Sequence, residues 1–200
     1  MTGMRLVLAS KSATRIELLT RAGVAFDVEG AGIDERDVEA PLRSGGANPA
    51  TIASHLADAK ALAVSRRRPA DLVLGADQTL GLGQELFVKA DDRVAAEAQI
   101  ARLAGRTHQL HAALSLAVGG HVVWRHLSSA SLTVRPLSPA AIGRYLDTVG
   151  DAVLGSVGCY QLEGLGIRLF DRIEGDYFTI LGLPLLPLLA ELRARGLIDP

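Results

Sequence analysis

The chain has 200 residues, of which 48% are hydrophobic and 22% charged, and its formal net charge is -1. This composition is that of an ordinary globular protein, and the balanced charge gives no indication of a broad nucleic-acid-binding surface, so we expect no nucleic-acid partner. The single cysteine, Cys159, excludes an intrachain disulfide and a cysteine-rich zinc site, and we expect a buried, inert thiol. No secretory signal is visible and the apolar stretch 179–189 is too short to cross a bilayer, so we expect a cytoplasmic protein without a membrane partner.

The first candidate site lies near the N-terminus, where the apolar run 4–9 predicts a buried strand and the turn 10–15, SKSATR, leads into a helix. Ser12 is the predicted N-cap, because its hydroxyl can accept from a free amide of the first turn. Arg15 stands where a capping box would have Glu or Gln, and a cation at this positive end of the helix dipole is unfavourable on its own. A phosphate bound among Ser10, Ser12, the free N–H groups and Arg15 would make it favourable, but an ordinary helix start with a solvated Arg fits the turn equally well.

The next segment predicts a strand, a loop and a long helix. Residues 26–29 are predicted to form the strand, and the glycine-rich, charged stretch 30–46 the loop. The helix is predicted to run from Asn48, its N-cap, to about Ser65. Lys60 lies on the apolar face of that helix, where a lysine either extends its ammonium to solvent or meets an anion.

Asp77 is the strongest candidate for a functional side chain. The apolar run 71–76 predicts a buried strand that ends at Asp77, and ligands in open α/β sheets bind beyond the carboxyl ends of strands. With Glu35 from the loop, Asp77 could supply the carboxylates that Mg²⁺ needs beside a nucleotide, although solvated loop acids are the commoner case. Lys89 follows a short predicted strand at 85–88 and could end it beside Asp77.

The second half of the chain predicts a hairpin between helices. The elements in order are a helix at 95–103, a hairpin at 107–134, a helix at 138–148, a glycine-rich stretch at 155–166, a strand at 167–170 and a final helix at 184–195. Glu163 lies in the glycine-rich stretch, which is flexible enough to wrap a small ligand. Alternating helices and strands followed by an antiparallel section predict an α/β fold with a mixed sheet.

A set of short motifs extends across nearly the whole chain. They are LASKSATRIELL (8–19), IDE (33–35), GADQT (75–79), LAGRTHQLH (103–111), YQLEGLGI (160–167) and IEGDYFTILGLPL (173–185). Each alone is weak, but the ordered set resembles the Maf family of nucleoside triphosphate pyrophosphatases. The resemblance implies a single domain over residues 1–200 that is related to inosine triphosphate pyrophosphatases. Its elongated mixed sheet would be flanked by helices, with two lobes and a central nucleotide cleft.

The resemblance also implies an activity and the residues that carry it. The activity is hydrolysis between the α- and β-phosphates of ordinary or modified nucleotides, a house-cleaning reaction that gives a monophosphate and diphosphate. Asp77 matches the family's general base, and Glu35 with Asp77 matches the site for a divalent cation, Mg²⁺ or Mn²⁺. The positions that match triphosphate ligands are Ser10, Ser12, Arg15, Lys60 and Lys89. Arg106 and Thr107 match the family's GRTH segment, to which we assign no separate role.

Two departures from the family pattern concern the substrate. The first motif usually reads S-x-S-P-R-R, whereas Ala13 and Thr14 replace the Pro and the first Arg, so one phosphate-facing cation is absent. Members that act on dTTP and UTP usually carry Gln where this chain has Glu163. A carboxylate there could accept from the N1–H and N2–H₂ edge of guanine, as in the branch that acts on N7-methyl-GTP, but Thr14 does not match the Trp of some members of that branch. Both substrate classes therefore stay open.

The resemblance leaves two further alternatives. A non-catalytic nucleotide-binding regulator of septum formation is a different class of function, and a homodimer is compatible with either class. Retention of Asp77, Lys60 and Lys89 favours an enzyme, because a regulator has no need of a base directed at phosphorus.

Overall fold

A seven-stranded mixed sheet organises the chain, which the computed structural model describes from residue 4 to residue 199. Its strands are β1 (Leu6–Leu8), β2 (Asp27–Val28), β3 (Leu72–Leu82), β4 (Glu85–Phe87), β5 (Thr107–Val118), β6 (His121–Val134) and β7 (Phe170–Glu174). The helices are α1 (Ala13–Arg21), α2 (Glu35–Ser44), α3 (Pro49–Arg67), α4 (Arg93–Leu103), α5 (Pro139–Val149), α6 (Tyr177–Ile180) and α7 (Leu185–Ala194). Short 3-10 segments occupy Gly150–Gly155 and Leu165–Leu169. The predicted α/β fold with a mixed sheet and flanking helices is confirmed.

The order of the strands leaves a gap beside β3. The sheet runs β2-β1-β3-β5-β6-β7, with β1 parallel to its two neighbours and the other pairs antiparallel. β1 pairs only with residues 72–74 of β3, and β4 pairs only with residues 80–82 on the same edge of β3. β5 occupies the opposite edge. Within residues 4–199, the edge of β3 that β1 and β4 share therefore has no partner strand between residues 75 and 79, and Asp77 lies in the middle of the gap.

The side chains of β3 alternate between two cores. Leu72, Leu74 and Ala76 pack with the leucines of α1 and α7 on one face. Val73 packs against α3 on the other face, and the alternation of a strand directs Gly75 and Asp77 to that face as well. A Cβ atom at Gly75 would lie 2.1 Å from a backbone carbonyl oxygen of α3. The missing side chain thus lets α3 cross the strand closely, two residues before Asp77.

Three predicted elements are wrong. The stretch 30–46 contains α2, which begins after Asp34, whose carboxylate accepts from the Arg36 amide at 2.9 Å. No residue of α2 is buried, and the glycines and charges of the stretch favoured a loop, although Val38 and Leu42 lie at helical spacing. β3 continues past Asp77 to Leu82, because it stays buried on both faces. The strand predicted at 167–170 is a 3-10 segment, and β7 follows it.

The remaining predicted helices and the hairpin are confirmed to within a few residues. Cys159 is buried, as expected, and forms no disulfide. Among the described residues, we find no helix with the length and apolar character required to cross a membrane.

Candidate active site

A cavity of about 1190 Å³ opens at the gap in the sheet. Its lining comes from the first turn of α1, from α2 and α3, from the middle of β3, and from the segments 86–91 and 155–163. Pockets for small molecules usually measure about 300–1,000 Å³, so a nucleotide fits this one. All of the residues predicted from the sequence as site residues line it: Ser10, Ser12, Arg15, Glu35, Lys60, Asp77, Lys89 and Glu163.

Asp77 and Lys60 form a buried ion pair at this cavity. The Lys60 Nζ atom lies 2.6 Å from Oδ1 of Asp77 and 2.7 Å from Oε1 of Glu35. Of the two alternatives for Lys60, the structure has the one in which the ammonium meets an anion. Burial raises the pKa of Asp77, and the charges of Lys60 and Arg15 oppose that rise. A carboxyl group with a raised pKa is a stronger base in its ionised form, as proton abstraction requires.

Arg15 is fixed by backbone rather than solvated. Its Nε donates to the Gly182 carbonyl at 2.9 Å, and its Nη1 donates to the Ala76 carbonyl at 2.9 Å and to Ser10 Oγ at 3.3 Å. The Ala76 carbonyl lies on the edge of β3 that no strand covers, so Arg15 satisfies the backbone in the gap. Ser12 caps α1 as predicted, accepting from the Arg15 amide at 3.5 Å. Within residues 4–199 no carboxylate forms an ion pair with Arg15, which leaves its charge for an anion in the cavity.

The cavity has two chemically different ends. We call Ser10, Ser12, Arg15, Lys60 and Asp77 the charged end. The apolar end is lined by members of a second hydrophobic cluster, namely Phe87, Leu110, Tyr160, Leu162 and Ile180. Glu163 follows Leu162 and is exposed. Lys89 is also exposed, and it lines the same cavity as Asp77 without an ion pair to it in the described part of the chain.

Two carboxylates of the site could hold a divalent cation. The carboxylates of Glu35 and Asp77 face the same point in the cavity, because both contact the Lys60 ammonium. Mg²⁺ in nucleotide enzymes usually takes one or two carboxylates, with phosphate oxygens and water completing its shell. Within residues 4–199 no three His, Cys, Asp or Glu side chains group as a metal cage. The donor set therefore fits a cation that is bound jointly with a triphosphate.

Sequence reasoning missed several residues that line the cavity. Lys11, Arg36 and Arg43 add three cations, and Glu39 adds a half-buried acid whose pKa is raised by burial and then by Asp77. Three of these four lie on α2, which was predicted as loop. The Asp34 cap, followed by further acids in the first helical turn, is the signal that could have identified this helix.

Comparison with known proteins places this chain in a family. A family model described as "Maf-like protein" matches residues 5–195. The chain belongs to the Maf family. The 7-methyl-GTP pyrophosphatase of Brucella abortus is 55% identical over 196 residues, which cover 98% of each chain. The nucleoside triphosphate pyrophosphatase of Rhodopseudomonas palustris is 53% identical over 193 residues, 96% of this chain and 95% of that relative.

Among solved structures, a HAM1 protein from Coxiella burnetii is 12% identical and covers 66% of this chain and 73% of its own, with a TM-score of 0.43.

Proposed function

We propose that this chain hydrolyses nucleoside triphosphates at the α–β phosphoanhydride bond and releases a nucleoside monophosphate and diphosphate. One observation carries the proposal: a buried carboxylate, Asp77, lies beside two fixed cations, Lys60 and Arg15, in a cavity of nucleotide size. Relatives more than 50% identical over nearly their whole length have names that state this activity.

The charged end supplies the groups that the reaction needs. Arg15, Lys60, Ser10, Ser12 and the free amides of the first turn of α1 bind the triphosphate oxygens. Asp77 accepts a proton from water as the water oxygen bonds to the α-phosphorus and the bond to the leaving diphosphate breaks. General-base assistance of this kind is worth on the order of 10²–10⁴-fold in rate.

The residues that would hold a divalent cation are Glu35 and Asp77. The bound cation would neutralise the charge that develops on the leaving diphosphate. Chelation with EDTA is therefore expected to stop diphosphate release, and added Mg²⁺ or Mn²⁺ to restore it.

Within this class we propose N7-methyl-GTP, rather than dTTP or UTP, as the substrate. The Brucella abortus relative is named for that nucleotide. Glu163 lines the cavity beside the apolar end, where an ionised carboxylate can accept from the donor edge of guanine. Methylation at N7 also places a positive charge on the base, which favours a carboxylate over the neutral Gln of the pyrimidine-specific pattern.

The test is a panel of dTTP, UTP, GTP and N7-methyl-GTP with Mg²⁺, in which diphosphate and orthophosphate are measured separately. We expect diphosphate to form, fastest from N7-methyl-GTP. Release of orthophosphate alone would indicate an ordinary phosphatase. Thermal stabilisation by nucleotides without any product would indicate the regulator.

The base is tested with Asp77→Asn. We expect this variant to keep nucleotide affinity in calorimetric titration and to lose about 10²–10⁴-fold in kcat. The matched control is Asp91→Asn, which changes an exposed carboxylate of the same cavity and should stay within a few-fold of wild type. Diphosphate release from Asp77→Asn at the wild-type rate rules out Asp77 as the base.

A further inference from the structure

Gln99 joins two segments that are far apart in the sequence. It lies on α4 and is 9% exposed. Its Nε2 donates to the Val88 carbonyl at 3.0 Å and to the Val157 carbonyl at 2.5 Å. Its Oε1 accepts from the Cys159 thiol at 3.7 Å. One buried amide therefore holds the segment after β4 against the glycine-rich stretch 155–163.

Both of these segments are walls of the cavity, whereas Gln99 does not line it. Val88 immediately precedes Lys89, and Val157 belongs to the stretch that carries Glu163. We propose that Gln99 is a positioning residue, which sets the distance between Lys89 and the stretch 155–163 and thereby the affinity for the nucleotide. The inference rests on the proposed function, in which Glu163 contacts the base, and on the family resemblance, which implies that Lys89 binds the phosphates.

The backbone that Gln99 holds is strained. Cys159 has a φ of +55° and is the one non-glycine residue with positive φ in the described part of the chain. Such a conformation costs on the order of 1–3 kcal/mol and persists only where the surroundings enforce it. The contacts that hold Cys159 are its thiol bond to Gln99, the bond from Tyr145 Oη to its carbonyl at 3.3 Å, and the bond from its own amide to the Ser156 carbonyl at 3.2 Å. Without Gln99, the stretch is expected to relax away from this geometry.

An apolar residue could fill the volume of Gln99 but could not hold the two walls. A leucine would leave the carbonyls of Val88 and Val157 without this donor, and the loss of each partly buried hydrogen bond has a cost. The charged end does not depend on this amide, because Asp77, Lys60 and Arg15 lie on β3, α3 and α1. The effect of Gln99 is therefore predicted to appear in binding more than in the chemical step.

The first experiment compares Gln99→Leu with wild type. We expect the nucleotide Kd and KM to rise about tenfold or more, the effect of roughly 1.4 kcal/mol, while kcat changes less than threefold. Hydrogen exchange should rise together in the segments 86–90 and 155–163. The matched control is Gln109→Leu, at an exposed glutamine on β5. An unchanged Kd, or a loss in kcat alone, overturns the proposal.

A double-mutant cycle separates positioning from a merely structural role. If Gln99 places Lys89, then Lys89→Met should weaken binding clearly less in the Gln99→Leu background than in wild type. The control cycle uses Lys11→Met, at a cavity lysine that precedes α1 and that Gln99 does not contact, where the two effects should combine within about twofold. If the effects on binding add as well in the cycle of Gln99→Leu with Lys89→Met as they do in the control cycle with Lys11→Met, the proposal is overturned.

A second variant and the choice of measurements keep the role of Gln99 testable. If Gln99→Leu does not fold, Gln99→Asn replaces it, because the shorter amide can reach at most one of the two carbonyls. Every readout except kcat and KM is a binding or exchange measurement. A wild type that binds nucleotides but releases no diphosphate therefore overturns the proposed function, while the cycle still decides the role of Gln99.

Discussion

At the charged end of the cavity, the buried Lys60 and Asp77 form a charged pair, whereas His108 and Tyr160, which are buried behind the apolar end, form a neutral pair. Lys60 holds Asp77 at 2.6 Å. Behind the apolar end, His108 Nε2 lies 2.7 Å from Tyr160 Oη, and burial lowers the pKa of His108 to about 4. A paired charge can exchange its partner for a phosphate or a metal ion. A neutral pair cannot, so it serves to fix the shape of the apolar wall.

The largest effect is expected at the charged end when its central cation, Lys60, is removed. Lys60→Met leaves Asp77 buried, with Arg15 as the remaining nearby cation. Removing one partner of a buried pair costs about 3–5 kcal/mol, so we expect a loss of stability of that order in urea unfolding, and a large rise in KM. Lys11→Met, an exposed lysine of the same cavity, is the control and should keep wild-type stability.

A second variant tests the reason for that loss. The double substitution of Lys60→Met with Asp77→Leu removes both charges, and replacing a buried pair by apolar residues is often close to neutral for stability. The double variant should therefore be more stable than Lys60→Met alone. If it is less stable, the pair is not the source of the effect.

The two ends also differ in how far the sequence predicts them. The turn with Ser12 and Arg15 and the strand with Asp77 were predicted, because residue type and local pattern carry their chemistry. The choice of Lys60 between solvent and an anion was not, because it depends on the tertiary position of Asp77. The end of β3 could not be predicted either, since burial on both faces removes the alternation.

The walls of the cavity were harder to predict. α2 buries no residue, and the glycines that flank it outweighed the helical spacing of Val38 and Leu42. Gln99 acts through backbone carbonyls that lie 11 and 58 residues away, and such contacts leave no motif. The strand end predicted at residue 77 was wrong, whereas the position of Lys89 beside Asp77 stays a prediction. The local sequence pattern thus predicts a side chain whose position is set by its own helix or strand. It misses a side chain whose position is set by contacts with another helix or strand.

Acid should weaken the apolar end. The folded-state pKa of His108, about 4, lies below its ordinary value of 6.5, so the unfolded chain binds the proton first as the pH falls. Stability is then lost between about pH 6.5 and 4, by roughly 3 kcal/mol from this residue. His108 Nδ1 has no hydrogen-bond partner among residues 4–199. In the protonated ring, the N–H group at Nδ1 would therefore be buried without an acceptor.

The measurement is urea unfolding at pH 7 and at pH 4.5. The glutamine in His108→Gln cannot titrate, so the drop in unfolding free energy on acidification should be smaller for this variant than for wild type. Burial also lowers the pKa of His111 and His126, so part of the drop should remain. His121→Gln, at an exposed histidine of β6, should keep the full drop. Equal drops in wild type and His108→Gln would exclude His108 as the acid-sensitive group.

The smallest effect is expected at the exposed edge of the apolar end. Glu163→Gln removes a charge that no buried partner holds, so stability should not change. A hydrogen bond to a charged group contributes about 1.5–3 kcal/mol, and exposure to water reduces this, so we expect a loss of about tenfold in the preference for N7-methyl-GTP over UTP. The measured quantity is the ratio of the two kcat/KM values, with Asp91→Asn as the control. A ratio that stays at its wild-type value places base recognition on the backbone of 155–163, and the walls that Gln99 holds would then set specificity as well as affinity.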